Sequence, residues 1–131
     1  MRRLAIVLAM VLLAVTGLSA QDWSLTPAYG SANLTNGFTP DPHRVDLTAG
    51  GSINLSSMGY SGYVANAPDY DLYYTAGGSW PLVIRAESSG DTVLLVNAPD
   101  GNWYFNDDYA GVDPAIVFDS PQSGLYNIWV G

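Results

Sequence analysis

The sequence contains no cysteine, no lysine and a single histidine, His43, in 131 residues. Without a thiol, and with only one imidazole, it lacks the groups that most often form or activate a nucleophile, and no serine lies in a G-x-S-x-G turn. The lack of cysteine also excludes disulfides and a thiol-linked lipid anchor. We therefore expect no nucleophilic catalysis, and a fold that depends on its apolar core, with or without a metal ion.

Basic residues are scarce as well, since four arginines stand against 12 acidic residues and the formal net charge is −8. Proteins hold nucleic-acid phosphates and anionic membrane surfaces with Lys and Arg side chains, so we expect neither as a partner. Cations, neutral sugars and basic proteins remain open as ligands. Solubility alone also explains the acidic surface, and it is the explanation we favour.

Residues 1–20 have the pattern of a secretory signal peptide. Arg2 and Arg3 precede an apolar run from Leu4 to Leu18, and Ser19-Ala20 completes a small-residue cleavage site. The apolar run is shorter than the about 20 residues of a membrane span. We expect a helical signal peptide that is removed after Ala20, export to the periplasm or the medium, and no membrane contact afterwards.

After residue 20, short β-branched and aromatic runs alternate with Gly, Pro, Asn and Asp, which is typical of an antiparallel sandwich or barrel. Residues 21–42 are predicted to be an irregular N-terminal arm, and residues 43–131 to be one all-β domain. The predicted strands are His43–Thr48, Ser52–Leu55, Gly62–Ala65, Asp71–Thr75, Leu82–Ser88, Thr92–Asn97, Trp103–Asn106, Ala115–Phe118 and Leu125–Val130.

Alternation within these runs predicts which faces are buried. Leu82, Ile84 and Ala86 share one face of their strand, as period-two geometry requires. The run from Thr92 to Val96 is apolar on both faces, which predicts a central strand that is covered on both sides, or one whose outer face is covered by aromatic side chains.

Acidic residues suggest two kinds of chemistry. The pairs Asp69/Asp71 and Asp107/Asp108 could serve a glycosidase only if two carboxylates stood about 5–10 Å apart across a cleft, and so small a domain offers little room for one. Calcium needs six to eight oxygen ligands, and the alternative is ordinary turn chemistry. The candidate calcium ligands are Asp100, Asn102, Asn106, Asp107, Asp108 and Asp113.

Aromatic side chains suggest a ligand surface, because a flat platform of rings stacks on sugars or on partner side chains. The alternative is that these rings fill the core or cover the outer face of a sheet. The candidates are Trp80, Trp103, Tyr104, Tyr109 and Trp129.

Five segments follow one another in an order that resembles a known family. They are Asp69–Gly78 (DYDLYYTAGG), Leu82–Ala86 (LVIRA), Asp91–Asn102 (DTVLLVNAPDGN), Asn106–Asp108 (NDD) and Ser123–Gly131 (SGLYNIWVG). Together they resemble the bacterial pre-peptidase C-terminal (PPC) domain, with its D-P-D-G turn and its closing A-G-x-Y-x-I-x-V strand. The resemblance implies a jelly-roll-like β-sandwich, export and a non-catalytic accessory role.

Small secreted bacterial proteins of this kind resemble one another in G-C-x-G-Y and W-Y-C-D-D-D motifs. Tyr60 and Phe105 stand at the two cysteine positions in this sequence. The resemblance implies that an aromatic contact replaces a bridge, and it predicts ring centroids less than about 7 Å apart.

These observations favour a secreted, non-enzymatic binding or accessory module of the bacterial envelope or medium. It would recognise a protein or polysaccharide surface, with calcium as a candidate structural ion. The alternative is a purely structural envelope protein without a specific ligand, and a small hydrolase is the remote alternative.

Overall fold

The computed structural model of the protein describes residues 21–109 and 111–131. The predicted signal peptide lies outside these residues. The described chain is all-β, as predicted, and its one helical element is the short 3₁₀ helix η1 (Leu55–Met58). The strands are β1 (Ser31–Thr35), β2 (Ile53–Asn54), β3 (Tyr63–Val64), β4 (Tyr70–Thr75), β5 (Leu82–Arg85), β6 (Leu94–Asn97), β7 (Trp103–Asn106), β8 (Ala115–Phe118) and β9 (Gly124–Val130).

Five of the strands form the main sheet, in the order β1-β4-β9-β6-β7. β1 runs parallel to β4, whereas the other neighbours are antiparallel. β5 and β8 form a second, two-stranded sheet, and β2 pairs with β3 in a third. Among the described residues, no helix is both long and apolar enough to cross a membrane.

The first core lies between the main sheet and the β5–β8 sheet. Alternate residues of β4, β6 and β9 point into it, as period-two geometry requires, and Leu82 and Ile84 of β5 face them. Val83 and Arg85 point outward, so the predicted alternation of β5 is confirmed. The buried members are Leu72, Tyr74, Leu82, Ile84, Leu94, Val96, Ala98, Ile116, Tyr126, Ile128 and Val130.

The second core lies on the opposite face of the main sheet, beneath a covering layer of β2, η1 and β3. Its buried members are Leu55, Val64, Val93, Leu95 and Trp129. Leu94 and Leu95 of β6 therefore enter different cores, which confirms the prediction of a central strand that is covered on both sides.

The covering layer is attached to β7 by an aromatic stack. The ring centroids of Tyr60 and Phe105 lie 4.4 Å apart, and the two ring planes meet at 9°. This confirms the predicted contact between the two residues. Because Tyr60 follows η1 and Phe105 lies on β7, the stack joins the layer to an edge strand of the main sheet.

Two predictions about local structure are wrong. Residues 31–35 of the predicted irregular arm form β1, because their backbone finds a partner in β4. Residues 43–48 form no strand, although Leu47 packs against the first core. Their apolar alternation thus reports burial correctly, but no neighbouring strand completes a ladder of backbone hydrogen bonds.

Candidate functional site

The covering layer leaves part of the second face of the main sheet open. The layer protects Leu95 and Trp129, but two residues further along the strands the face opens into a groove of about 850 Å³. The floor of the groove includes Asn97, Leu125 and Asn127, and Trp23 and Trp103 also line it. We take this groove as the candidate functional site.

The register of the main sheet explains why these residues meet. Asn97 of β6 pairs with Trp103 of β7 on one side and with Asn127 of β9 on the other. Asn127 pairs in turn with Asp71 of β4. Directly opposed residues on neighbouring strands project from the same face, so an indole and two amides form a row across three strands.

Trp23 is presented by a tight turn in the N-terminal segment. The Leu25 N–H donates to the Asp22 carbonyl at 3.3 Å, and the Ser24 N–H donates to Asp22 Oδ1 at 3.0 Å. Bonds from Ser24 also lower the pKa of Asp22. The turn is anchored because the Asp22 N–H donates to the Asn66 carbonyl at 2.9 Å. Trp23 remains 56% exposed at this anchored position.

Asn127 connects the floor of the groove to Trp23. Its Nδ2 donates to Asp71 Oδ1 at 2.9 Å and to the Trp23 carbonyl at 3.3 Å. Because both acceptors are oxygens, the amide nitrogen must face them. Asn127 is only 2% exposed, so it fixes the Trp23 backbone to the floor, and the amides that a ligand can reach are those of the partly buried Asn97 and the exposed Asn66.

Trp103 is held by packing against the second core. Its ring centroid lies 5.3 Å from that of Trp129, which is fully buried. Trp129 is itself fixed, since its Nε1 donates to the Asn66 carbonyl at 3.3 Å. The partly buried Trp103 thus has a rigid support beneath it.

Asp69 and Asp71 are buried at 3% and 6% exposure, and neither lines the groove. Asp69 Oδ2 accepts from the Val130 N–H at 2.7 Å, and Asp71 Oδ1 accepts from Asn127. Burial raises the pKa of both carboxyl groups. Their hydrogen bonds position strand ends and the groove floor, and they do not face one another across a cleft as acid–base catalysis would require.

The five aromatic residues predicted as a ligand surface do not form one platform. Trp129 is buried in the second core, and Tyr104 packs on Phe118 on the opposite side of the main sheet, with centroids 5.0 Å apart. Trp80 and Tyr109 are 67% and 64% exposed in separate loops. Only Trp103 lines the groove.

Trp80 is nevertheless held firmly. Asn36 Nδ2 donates to the Trp80 carbonyl at 2.8 Å, and the Trp80 N–H donates to Asn36 Oδ1 at 3.4 Å. The same Nδ2 donates to the Tyr74 hydroxyl at 2.7 Å. Trp80 therefore lies on a fixed loop outside the groove.

The six predicted calcium ligands are divided between the two ends of β7. Asp100 and Asn102 precede this strand, Asn106 is its last residue and the others follow it. Four residues of strand span about 13 Å, so one ion cannot reach both ends. Asp100 accepts from the Asn102 N–H at 2.9 Å and from the Tyr104 hydroxyl at 2.8 Å. These bonds lower the pKa of Asp100.

Three of the remaining four candidates bond to other segments of the chain. Asn106 Oδ1 accepts from the Ala115 N–H, and Asp113 Oδ1 accepts from the Ser88 N–H, both at 3.2 Å. Asp107 accepts from the Ser61 hydroxyl at 3.4 Å, whereas Asp108 is exposed. In residues 21–109 and 111–131 no three His, Asp or Glu side chains are grouped to hold a metal ion.

Sequence reasoning missed Trp23, Asn97 and Asn127. Trp23 stands in a stretch that was predicted to be irregular, and the two asparagines are inconspicuous within strand patterns. The available signal was the D-W-S turn at residues 22–24, where Asp accepts backbone hydrogen bonds and the next side chain is projected outward.

Comparison of the chain with protein-family models, with curated proteins and with solved structures finds no match.

Proposed function

We propose that this protein is a non-catalytic binding module that holds a neutral polysaccharide in the groove between Trp23 and Trp103. The observation that carries the proposal is the combination of two indole side chains with a floor of amides. Indole rings offer large, rigid apolar faces, on which the C–H faces of sugar rings can stack. Amide groups both donate and accept hydrogen bonds, as sugar hydroxyls do.

The charges of the groove favour an uncharged ligand. Among the described residues that line it, Asp22 is the only acidic one, and its carboxylate accepts bonds from Ser24. No arginine lines the groove within the described part of the chain. An anionic chain would meet no cation there, and a cationic chain would find a single engaged carboxylate.

The dimensions are also suitable, because ligand sites in proteins commonly measure about 300–1,000 Å³. The open shape suits a segment of a chain better than an enclosed small molecule. A jelly-roll-like sandwich, export and the accessory role implied by the PPC resemblance all agree with such a module and form part of the proposal.

Electrophoresis in native gels that contain soluble neutral polysaccharides tests this function. We expect at least one β-glucan, mannan or xylan to retard the protein, and Trp23→Ala to weaken retardation by about tenfold or more, in the range of an aromatic hot spot. Trp80→Ala is the matched control, since this indole is exposed but lies outside the groove.

Two results would overturn the proposal. Unchanged mobility of the wild-type protein across the whole polysaccharide panel would favour the purely structural alternative. Equal weakening by Trp23→Ala and Trp80→Ala would show that the groove is not the site.

A further inference from the structure

We infer that the binding site continues beyond the groove across β4 to β1, so that the ligand is an extended chain that crosses the strands of the main sheet. This inference rests on the proposed function and specifies the length and direction of its ligand. The key residue is Tyr73, which is 46% exposed although it lies on a strand in the interior of the main sheet.

Alternation places Tyr73 on the face of the groove. Its neighbours Leu72 and Tyr74 both enter the first core, so the side chain between them points to the opposite face. Tyr73 pairs directly with Leu125 of β9, and Leu125 lines the groove. The phenol ring is therefore a direct continuation of the groove floor.

The same face carries a further uncharged polar side chain at the edge of the main sheet. Asn33 of β1 pairs with Tyr73, and since Leu34 packs against the first core, Asn33 projects from the groove face. The accessible groups from β7 to β1 are thus one on each strand, namely an indole, an amide, a leucine, a phenol and a further amide, while Asn127 lies buried beside them. None of these side chains is an aspartate, glutamate, arginine or histidine.

The length of this track sets the size of the ligand. Five neighbouring strands span four spacings of about 4.8 Å, or about 19 Å. A monosaccharide or disaccharide would leave the Tyr73 end empty. A linear oligosaccharide long enough to span the track would contact both aromatic ends, and its binding to rigid strands would need little rearrangement of the protein.

Tyr73 presents aromatic surface in the interior of the main sheet, beside the partly exposed Leu125. A contiguous apolar patch that is rimmed by polar groups marks an interaction site. The directly paired neighbours of Tyr73 are Asn33 and Leu125; the amide matches the hydroxyl groups of a neutral glycan, and neither neighbour offers an ion pair to a charged peptide. The occupant we assign is therefore a segment within a neutral polysaccharide chain.

A length series of linear oligosaccharides, prepared from whichever polysaccharide retards the protein, tests the inference by isothermal titration calorimetry. For the wild type we expect affinity to rise with chain length until the chain spans about 19 Å and then to level off. Tyr73→Ala should weaken the longest oligomers by about fivefold to tenfold and leave the shortest unchanged. Trp23→Ala should weaken all lengths.

The matched control is Tyr63→Ala, because Tyr63 is 54% exposed but belongs to the covering layer. It should leave every affinity unchanged. If Trp23→Ala abolishes binding while Tyr73→Ala has no effect at any length, the extended track is refuted and the proposed function stands. If no oligosaccharide or polysaccharide binds, both fail.

A gel that contains gelatin in place of polysaccharide tests whether the protein binds an extended polypeptide instead of a glycan. Retardation by gelatin alone, with loss in Tyr73→Ala, would overturn the assignment to a glycan. Retardation by polysaccharide alone supports it.

Discussion

The stack of Tyr60 on Phe105 should make a measurable contribution to stability, which a double-mutant cycle can isolate. The two rings lie face to face, with centroids 4.4 Å apart. Both residues pack at the border of the second core and are partly buried. We propose Tyr60→Leu, Phe105→Leu and the double variant, because leucine retains apolar contact but removes the ring-on-ring geometry.

The expected coupling follows from this geometry. Aromatic pairs at such a distance are worth about 0.5–1.5 kcal/mol beyond the area they bury, and the near-parallel planes indicate a full stack. Each single variant also loses buried area, but the cycle cancels that loss and retains the pair term. A coupling of about 1 kcal/mol corresponds to a shift of about 4–8 °C in Tm for a domain of roughly this size.

Urea unfolding followed by tryptophan fluorescence would supply the four free energies of unfolding. A second cycle, between Tyr60→Leu and Phe118→Leu, is the control, since Phe118 packs against the first core on the other side of the main sheet. It should show a coupling near zero. A coupling of Tyr60 with Phe105 that does not exceed this control would refute the stabilising role of the stack.

Two further predictions concern the buried carboxylates and the same aromatic pair. Burial raises the pKa of Asp69 above its usual 3.8. The native state therefore takes up a proton at a higher pH than the unfolded chain does. As a result, the free energy of unfolding rises as the pH falls through the raised pKa towards 3.8. Asp69→Asn should reduce this rise, while Asp71, whose pKa is raised as well, preserves part of it. Urea unfolding between about pH 7 and pH 4 measures the effect. An unchanged slope of the free energy of unfolding against pH would contradict the prediction. The pair Tyr60→Cys and Phe105→Cys should form a disulfide that closes a loop of about 45 residues, and the oxidised form should exceed the reduced form in stability by about 4 kcal/mol. Urea unfolding with and without reductant checks this, and thiols that stay free under oxidising conditions would show that the two backbones lie too far apart for a bridge.

The few cationic groups of the described chain lie away from the candidate site. The described chain carries Arg44 and Arg85 as its only arginines, and both pair with Glu87 in exposed ion pairs on the outside of the molecule. Neither lines the groove. The binding that we propose for the groove would therefore depend on stacking and on neutral hydrogen bonds, and we expect it to depend little on salt concentration, because no ion pair would be screened.

Local pattern determined much of the fold. β7 and β8 have the bounds that were predicted from their β-branched and aromatic runs, and the apolar run of β6 is buried on both sides as expected. Such predictions succeed because successive side chains of a strand point to opposite faces. A short stretch of sequence therefore shows which side chains are buried. The lack of thiols and of paired imidazoles likewise follows from composition alone.

Only the tertiary structure decided which strands became neighbours and where the face stayed open. Every residue except proline carries both backbone hydrogen-bonding groups, so side chains do not indicate which backbones will pair. The side chains of Ser31–Thr35 do not predict a parallel pairing with β4, and those of residues 43–48 do not predict that this segment stays unpaired. The groove joins Trp23 to Trp103 and Asn127 across long stretches of chain. The sequence provides the residue types of the groove, but the register of the main sheet brings them together. No local sequence pattern determines that register.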